Sequence, residues 1–403
     1  MNVPPRVALF ADCYHEVNGV ANTMRRMVRF ACDRRIPLLC VRAGAETRSF
    51  ADGPVRVVEY QRSAVRLPVD QDLQFDLLFL RLLPALRREL AAFAPDLVHI
   101  TGPGDCGALG VLLSRLLHLP LVASWHTNIH EFGARRLDQA LGFLLPAWRT
   151  RAAKRAESAI LDLAMLFYRI PSLILAPNRE LAALLERRTG RPVHAMLRGV
   201  DTDLFHPERR RASGGPLVLG YVGRLTPEKN VRLLGEADRA LRAAGVRDFR
   251  FLIVGDGGER AALAALLPEA SFPGVLKGER LAEAYSSMDL MLFPSHTDTF
   301  GNVVLEAQAA GVPVLVTASG GPKYLVDEGL TGSVARDDAD FVARTVALAR
   351  NRAALAAMRS HARAAAESRC WNRVFSDLYE SYALVAAAGG GPPEAPHPAG
   401  AKC

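Results

Sequence analysis

Six short apolar runs in the first half of the chain alternate with stretches of helix length such as VANTMRRMVRFACDRR and GALGVLLSRLLHL. The runs are RVALFA (6–11), PLLCVRA (37–43), VRVVEY (55–60), LVHIT (97–101), LVASW (121–125) and LILAP (173–177). A strand that is apolar along its whole length needs cover on both faces. Helices between successive strands supply that cover, so the alternation dictates an α/β fold with a parallel sheet. The pattern then restarts with PLVLGYVG (216–223), FRFLIVGDG (249–257), DLMLFPS (289–295) and VPVLVTA (312–318). Two domains of this kind are expected, over 1–197 and 216–370, which suits a chain of 403 residues. Residues 198–215 have the polar, Gly-, Pro- and Arg-rich composition of a linker. A helix over 371–387 is expected to return to the first domain, and 388–403 to be a disordered tail.

Charge and cysteine content narrow the function classes. The net charge is +8; residues 1–190 hold 25 Lys/Arg against 18 Asp/Glu, and the remainder 25 against 24. The basic excess therefore lies in the first half, where it suits an anionic membrane surface or a phosphorylated substrate. Its arginines have no interleaved aromatics, so no nucleic-acid partner is expected. WRTRAAKRAES (148–158) is the stretch that would lie on an anionic bilayer as a peripheral contact. Apolar runs such as SAILDLAMLF are too short to span a membrane, and the six cysteines show neither paired nor metal-ligand spacing. A cytoplasmic protein, at the inner face of the cell membrane, is expected.

In open parallel sheets ligands bind beyond the carboxyl ends of the strands, so the residues that follow each strand carry the functional signal. After the first strand, DCYHEVNGVANTM places Asp12 and Asn18 before a helix, with Gly19 small enough to admit a phosphate to its N-terminus. After the fifth comes SWHTNIHEFG, where His126 points into the expected cleft; His130 follows four residues later, but without a third ligand no metal is proposed. In the second domain, Arg224 and Lys229 of GYVGRLTPEKN can grip a diphosphate, one as a planar fork and the other as a point charge, with a helix expected near Asn230. FPSHTDTFGNVVLEA starts a helix near Gly301 or Asn302, whose N–H groups through Val303 face an anion. Glu306, one turn into it, can accept from the vicinal hydroxyls of a ribose, and Asp298, in the preceding loop, from a second sugar.

These blocks, together with LAPN, RGVDTDLFHP, VGDGGER and GVPVLVTASGGP, resemble the retaining glycosyltransferases of family 4 over nearly the whole chain. VNGV, HTN and TDTFGNVVLEA look most like the branch of glycolipid mannosyltransferases and sulfoquinovosyltransferases. The resemblance implies the GT-B fold, two facing Rossmann-like domains with a cleft between them. It also implies a hexosyl donor, GDP-mannose first and a UDP-sugar second, a lipid or glycan acceptor, and no metal or other cofactor. It assigns the diphosphate to Arg224 and Lys229, the ribose to Glu306, phosphate or sugar to the backbone of Gly301, Asn302 and Val303, and the base to the region of Lys277. His126 and Asp298 join Arg224 and Lys229 in the catalytic set, Gly19 meets the phosphate, and Asp12 and Asn18 lie on the acceptor side. Asp298 stands where the family usually has Glu, and Asn18 where many relatives have Gly. An epimerase or phosphorylase of the same fold, and a nucleotide-sugar-binding protein without transfer activity, are the alternatives. DTD (201–203) resembles a metal-binding triplet of another glycosyltransferase fold but reads better as turn and cap residues.

Overall fold

A computed structural model of the chain describes residues 3–16, 19–68, 74–125, 158–210, 214–298 and 300–389. They divide into two compact units. One runs to Leu197 and resumes at Phe375; the other is Arg198–Val374.

The first unit contains β1 (Val7–Ala11), β2 (Leu38–Gly44), β3 (Arg48–Asp52), β4 (Val55–Gln61), β5 (Arg66–Pro68), β6 (Gln74–Asp76), β7 (Leu97–Ile100), β8 (Leu121–Ser124), β9 (Leu173–Ala176) and β10 (Val193–Ala195). Eight of these form one sheet in the order β10-β9-β8-β7-β1-β2-β4-β3. Every neighbouring pair is parallel except the β3–β4 edge. The order reverses between β1 and β7, and both central strands are wholly buried, as their unbroken apolar sequences require. Two helices matter below: α1 (Gly19–Asp33) and α2 (Asp105–Leu116).

The second unit is an all-parallel sheet of β11 (Leu217–Val222), β12 (Phe249–Val254), β13 (Ser271–Gly274), β14 (Leu290–Phe293), β15 (Val314–Thr317) and β16 (Gly332–Ala335). Its order is β13-β12-β11-β14-β15-β16, the doubly wound arrangement, with the switch between β11 and β14. Its site-bearing helices are α3 (Gly278–Ser286), α4 (Asn302–Ala309) and α5 (Asp338–Ala349).

Two segments behave differently from their composition. The stretch 198–210 packs as part of the second unit: Phe205 is buried, Arg363 donates to the carbonyls of Thr202 and Phe205 at 3.0 and 2.8 Å, and Arg210 pairs with Asp289 at 2.7 Å. Within it, Asp201 Oδ1 accepts from the Leu204 N–H at 3.0 Å, a turn and cap role. The last helix, α6 (Trp371–Ala387), starts in the second unit and belongs to the first from Phe375 onward. There the rings of Phe375 and Tyr379 lie 5.5 and 6.0 Å from that of Phe30 on α1. The Tyr382 hydroxyl meets His99 Nδ1 at 2.6 Å, while His99 Nε2 meets Ser124 Oγ at 2.5 Å. Burial drives the His99 pKa down to about 3, so a neutral imidazole ties α6 to the sheet.

Candidate active site

At the carboxyl end of β11 the backbone turns at Gly223 (φ 155) into the loop that carries Arg224 and Lys229. Pro227–Lys229 form a single 3₁₀ turn, closed by Asn230 in the left-handed conformation (φ 52). The helix expected near Asn230 therefore begins only at Leu233. Proline at the first turn position and asparagine at the last favour this local turn over immediate helix growth.

The turn brings Lys229 onto Asp298 from the loop after β14. The Nζ lies 2.7 and 2.8 Å from the two carboxylate oxygens, and the side chains are only 12 % and 21 % exposed. The sequence reading gave these two groups to separate parts of a ligand; the structure joins them in one ion pair. An ammonium has three donors, so with two on Asp298 one remains for an anion, and the carboxylate keeps acceptor capacity. Arg224, on the same loop, is half exposed, and its Nη2 lies 3.7 Å from the Glu228 carboxylate. The buried Tyr221 hydroxyl fixes the loop by donating to the Arg224 carbonyl at 3.0 Å.

The two loops are held in register by a clasp. Gly321 N–H donates to the Asp298 carbonyl at 2.7 Å, and Thr297 Oγ1 to the Glu228 carbonyl at 3.4 Å. His296 Nε2 lies 2.9 Å from Asp338 Oδ1 at the start of α5, and its Nδ1 lies 3.3 Å from Ser319 Oγ. Asn230 Nδ2 reaches both Asp338 oxygens, at 3.3 and 3.2 Å. Four loops at the carboxyl edge of one sheet thus share one polar network. Sequence reasoning missed His296, whose only signal was its position two residues before Asp298.

Helix α4 begins at Asn302, preceded by Gly301 at φ 91. A Cβ at Gly301 would lie 2.9 Å from Pro322 Cγ, so this position needs glycine both for its dihedral and for its room. The cap residue itself, Gly301, has no side chain to offer the first N–H groups. Nearby, Asn302 Oδ1, Ser295 Oγ and Thr226 Oγ1 are buried without a hydrogen-bond partner among the described residues. Helix N-terminal N–H groups and the hydroxyls of Ser295 and Thr226 are donors, the groups that an anion requires, whereas Asn302 Oδ1 can only accept.

Glu306 is part buried one turn into α4, and its Oε2 accepts from the Tyr285 hydroxyl of α3 at 2.8 Å. Burial, followed by the Glu306 charge, raises the Tyr285 pKa well above that of an ordinary phenol, so it stays a donor. Tyr285 was not legible as a site residue, because in LAEAYSS it reads as an ordinary core aromatic.

The remaining expected residues are more dispersed. Lys277 is exposed on the extended residue before α3. Gly19 is the first residue of α1, and its carbonyl accepts from Thr23 Oγ1 at 2.8 Å. Asp12 follows β1 directly, at the switch point of the first sheet. Its carboxylate accepts from the N–H groups of Gly104 and Gly107 at 3.2 and 3.0 Å, at the start of α2. A Cβ on Gly104 would stand 2.3 Å from Asp12 Oδ1, so the glycines make room for this carboxylate. Burial, opposed by those backbone bonds, pushes the Asp12 pKa up to about 7. His126, Asn18 and 148–157 of the basic stretch lie outside the described residues. Among the described residues no group of three or more His, Cys, Asp or Glu side chains is arranged to hold a metal ion.

Comparison with known proteins agrees with this architecture. Residues 17–204 match the model of Glycosyltransferase Family 4, and 216–351 that of Glycosyl transferases group 1. A GDP-mannose-dependent alpha-mannosyltransferase of Mycobacterium tuberculosis is 33% identical over 340 residues, covering 81% of this chain and 82% of the relative. One of the same description from Corynebacterium glutamicum is 30% identical over 339 residues, covering 82% and 76%. Among solved structures, sucrose-phosphate synthase from Thermosynechococcus elongatus superposes with a TM-score of 0.70 at 19% identity, over 95% of this chain and 100% of that one, and so shares the fold. With two doubly wound sheets, a polar cluster at the switch point of the second, and relatives matched over most of their length, the chain belongs to the family 4 glycosyltransferases of GT-B fold.

Proposed function

We propose that this protein transfers a hexose, with retention of the anomeric configuration and without a metal, from a nucleotide-diphosphate sugar to a hydroxyl of a membrane lipid or glycolipid. GDP-mannose is the first donor, following the two mannosyltransferase relatives, and a UDP-sugar the second. The observation that carries the reading is what stands at the β11/β14 switch point: Arg224 and the Lys229–Asp298 pair on the two loops, and an α4 N-terminus with glycine as its cap residue ahead of Glu306.

In this reading the donor diphosphate lies against Arg224, the third Nζ donor of Lys229 and the N–H groups of Gly301 to Val303. Glu306, steadied by Tyr285, takes the ribose hydroxyls, and Asp298 a hydroxyl of the hexose. The bond from the anomeric carbon to the diphosphate oxygen breaks as the acceptor oxygen attacks on the same face. The acceptor proton passes to the departing phosphate oxygen. Charge on that leaving group grows in the transition state, and preorganised cations and helix N–H groups stabilise it there more than in the ground state. His126 is assigned beside the transferred sugar, Gly19 near the phosphate, Lys277 near the base, and Asp12 and Asn18 on the acceptor side. The enzyme acts from the cytoplasmic face of the membrane, in peripheral contact with it.

A panel of GDP-, UDP- and ADP-sugars, followed by slow nucleotide release, tests the donor site. GDP-mannose should be turned over fastest and Glu306→Ala should suppress it; release that the substitution leaves unchanged would remove the site.

A further inference from the structure

The block VGDGGER (254–260) has no role in the donor site described above, yet it lies against the loop that carries Arg224 and Lys229. The parallel pairing of β11 with β12 continues beyond Val222 and Val254. The Gly223 N–H donates to the Val254 carbonyl at 3.0 Å, the Leu225 N–H to the Asp256 carbonyl at 2.9 Å, and the Glu259 N–H to the Leu225 carbonyl at 2.9 Å. Backbone bonds thus fix the residues on both sides of Arg224, while its own carbonyl takes the Tyr221 hydroxyl at 3.0 Å. Leu225 is fully buried, which anchors the turn further. At the far end of the loop Arg232 pairs with the buried Glu259, its Nη2 lying 3.2 Å from Oε1. One short segment therefore holds the cationic loop at both ends.

Only glycine permits backbones this close. A Cβ on Gly255 would run into the Gly223 carbonyl oxygen, and one on Gly257 into the Leu225 carbonyl oxygen, each nearer than side-chain carbons approach. Both glycines also have positive φ, 141 and 155. Gly258, the next residue, is exposed, and a Cβ there would meet nothing within 4 Å. Glycine gives up more backbone freedom on folding than any other residue, so its use at 255 and 257 points to a need for close approach.

That need has a chemical reason. The Arg224 side chain is half exposed and must be ordered when it grips an anion. Ordering costs affinity, and a backbone fixed beforehand leaves only the side chain to be ordered. We propose that Gly255 and Gly257 are positioning residues for the diphosphate: they let the loop after β12 serve as a template that presets the backbone of Arg224. Gly258 takes no part in it. The proposal deepens the donor-site reading above and rests on it, adding residues that act through Arg224.

Calorimetric titration with GDP and with guanosine, which lacks only the phosphates, tests the template. Gly257→Ala displaces the Leu225 carbonyl, so the preference for GDP over guanosine should fall by about tenfold, the order of one charge-assisted contact, with the guanosine Kd within twofold of wild type. Gly258→Ala, one position on, should keep the wild-type preference. The template is overturned if Gly257→Ala keeps that preference too, or if it weakens both ligands equally, as a general loss of structure would. Hydrogen exchange needs no substitution: in nucleotide-free wild type the Leu225 and Glu259 amides should exchange as slowly as those of β11, and exchange at the rate of an open loop would equally overturn it. GDP bound no more tightly than guanosine by wild type would instead overturn the donor site itself.

Discussion

Tyr285→Phe isolates one bond of the proposed donor site. The substitution deletes a single oxygen that donates to Glu306 Oε2 at 2.8 Å, and it leaves the ring that packs edge-on against Phe205 at 5.5 Å. A hydrogen bond to a charged group contributes about 1.5–3 kcal/mol. Glu306 is only part buried, so water can replace part of the loss, and the lower end of that range applies. If the bond aims the carboxylate at the ribose, about 1.4 kcal/mol of it should appear in ligand binding, a tenfold rise in the Kd of GDP. Calorimetric titration with GDP reads that change, and urea unfolding without nucleotide reads the stability part separately. A GDP affinity within twofold of wild type, alongside a measurable stability loss, would mean that Tyr285 only supports the core and would refute its positioning role.

Other outcomes follow from the same geometry. Gly301→Ala should cost roughly 1–2 kcal/mol of stability, from the strained dihedral and the Pro322 contact, and weaken GDP binding with it; unchanged thermal unfolding would contradict the observed cap. His296→Phe removes the centre of the clasp around Lys229 and Asp298, and should raise the donor KM more than it lowers kcat; equal effects on both would argue against a positioning role. Asp12 has a folded-state pKa near 7 against 3.8 unperturbed, so the native state holds the extra proton across that window. Its contribution to stability is complete below about pH 4 and is lost as pH rises to about 7, with an upper bound on the order of 4 kcal/mol. Urea unfolding between pH 4.5 and 8 should therefore show a shallower decline for Asp12→Asn than for wild type, and parallel declines would contradict the shift.

What could be read from the sequence follows from burial. Strands such as VALFA and LMLF announce themselves because both faces are covered, and all ten long apolar runs correspond to strands at the centre of a sheet or close to it. Six strands were missed, most of them ones that periodicity cannot mark: β3, RSFAD, is exposed throughout at an edge, β5, β6 and β10 are three residues long, β13 contains proline and glycine, and β16, GSVA, is a short edge strand. Candidate site residues could be named from the sequence where chemistry and position coincide, as for Arg224, Lys229, Asp298 and Glu306 after strand ends. Tyr285 and His296 were not, because each acts through a contact between segments distant in sequence. The Lys229–Asp298 pair was hidden for the same reason: 69 positions separate two groups that only the β11/β14 adjacency brings together.

The central claim is that the second unit's switch point holds a diphosphate. Its most direct test compares the Kd of GDP with that of guanosine, which shares the base and ribose, for wild type and Lys229→Met. Wild type should prefer GDP strongly, and the substitution should shrink that preference by about tenfold, the order expected for one charge-assisted contact. A preference for GDP that survives Lys229→Met undiminished would place the phosphates elsewhere and contradict the account.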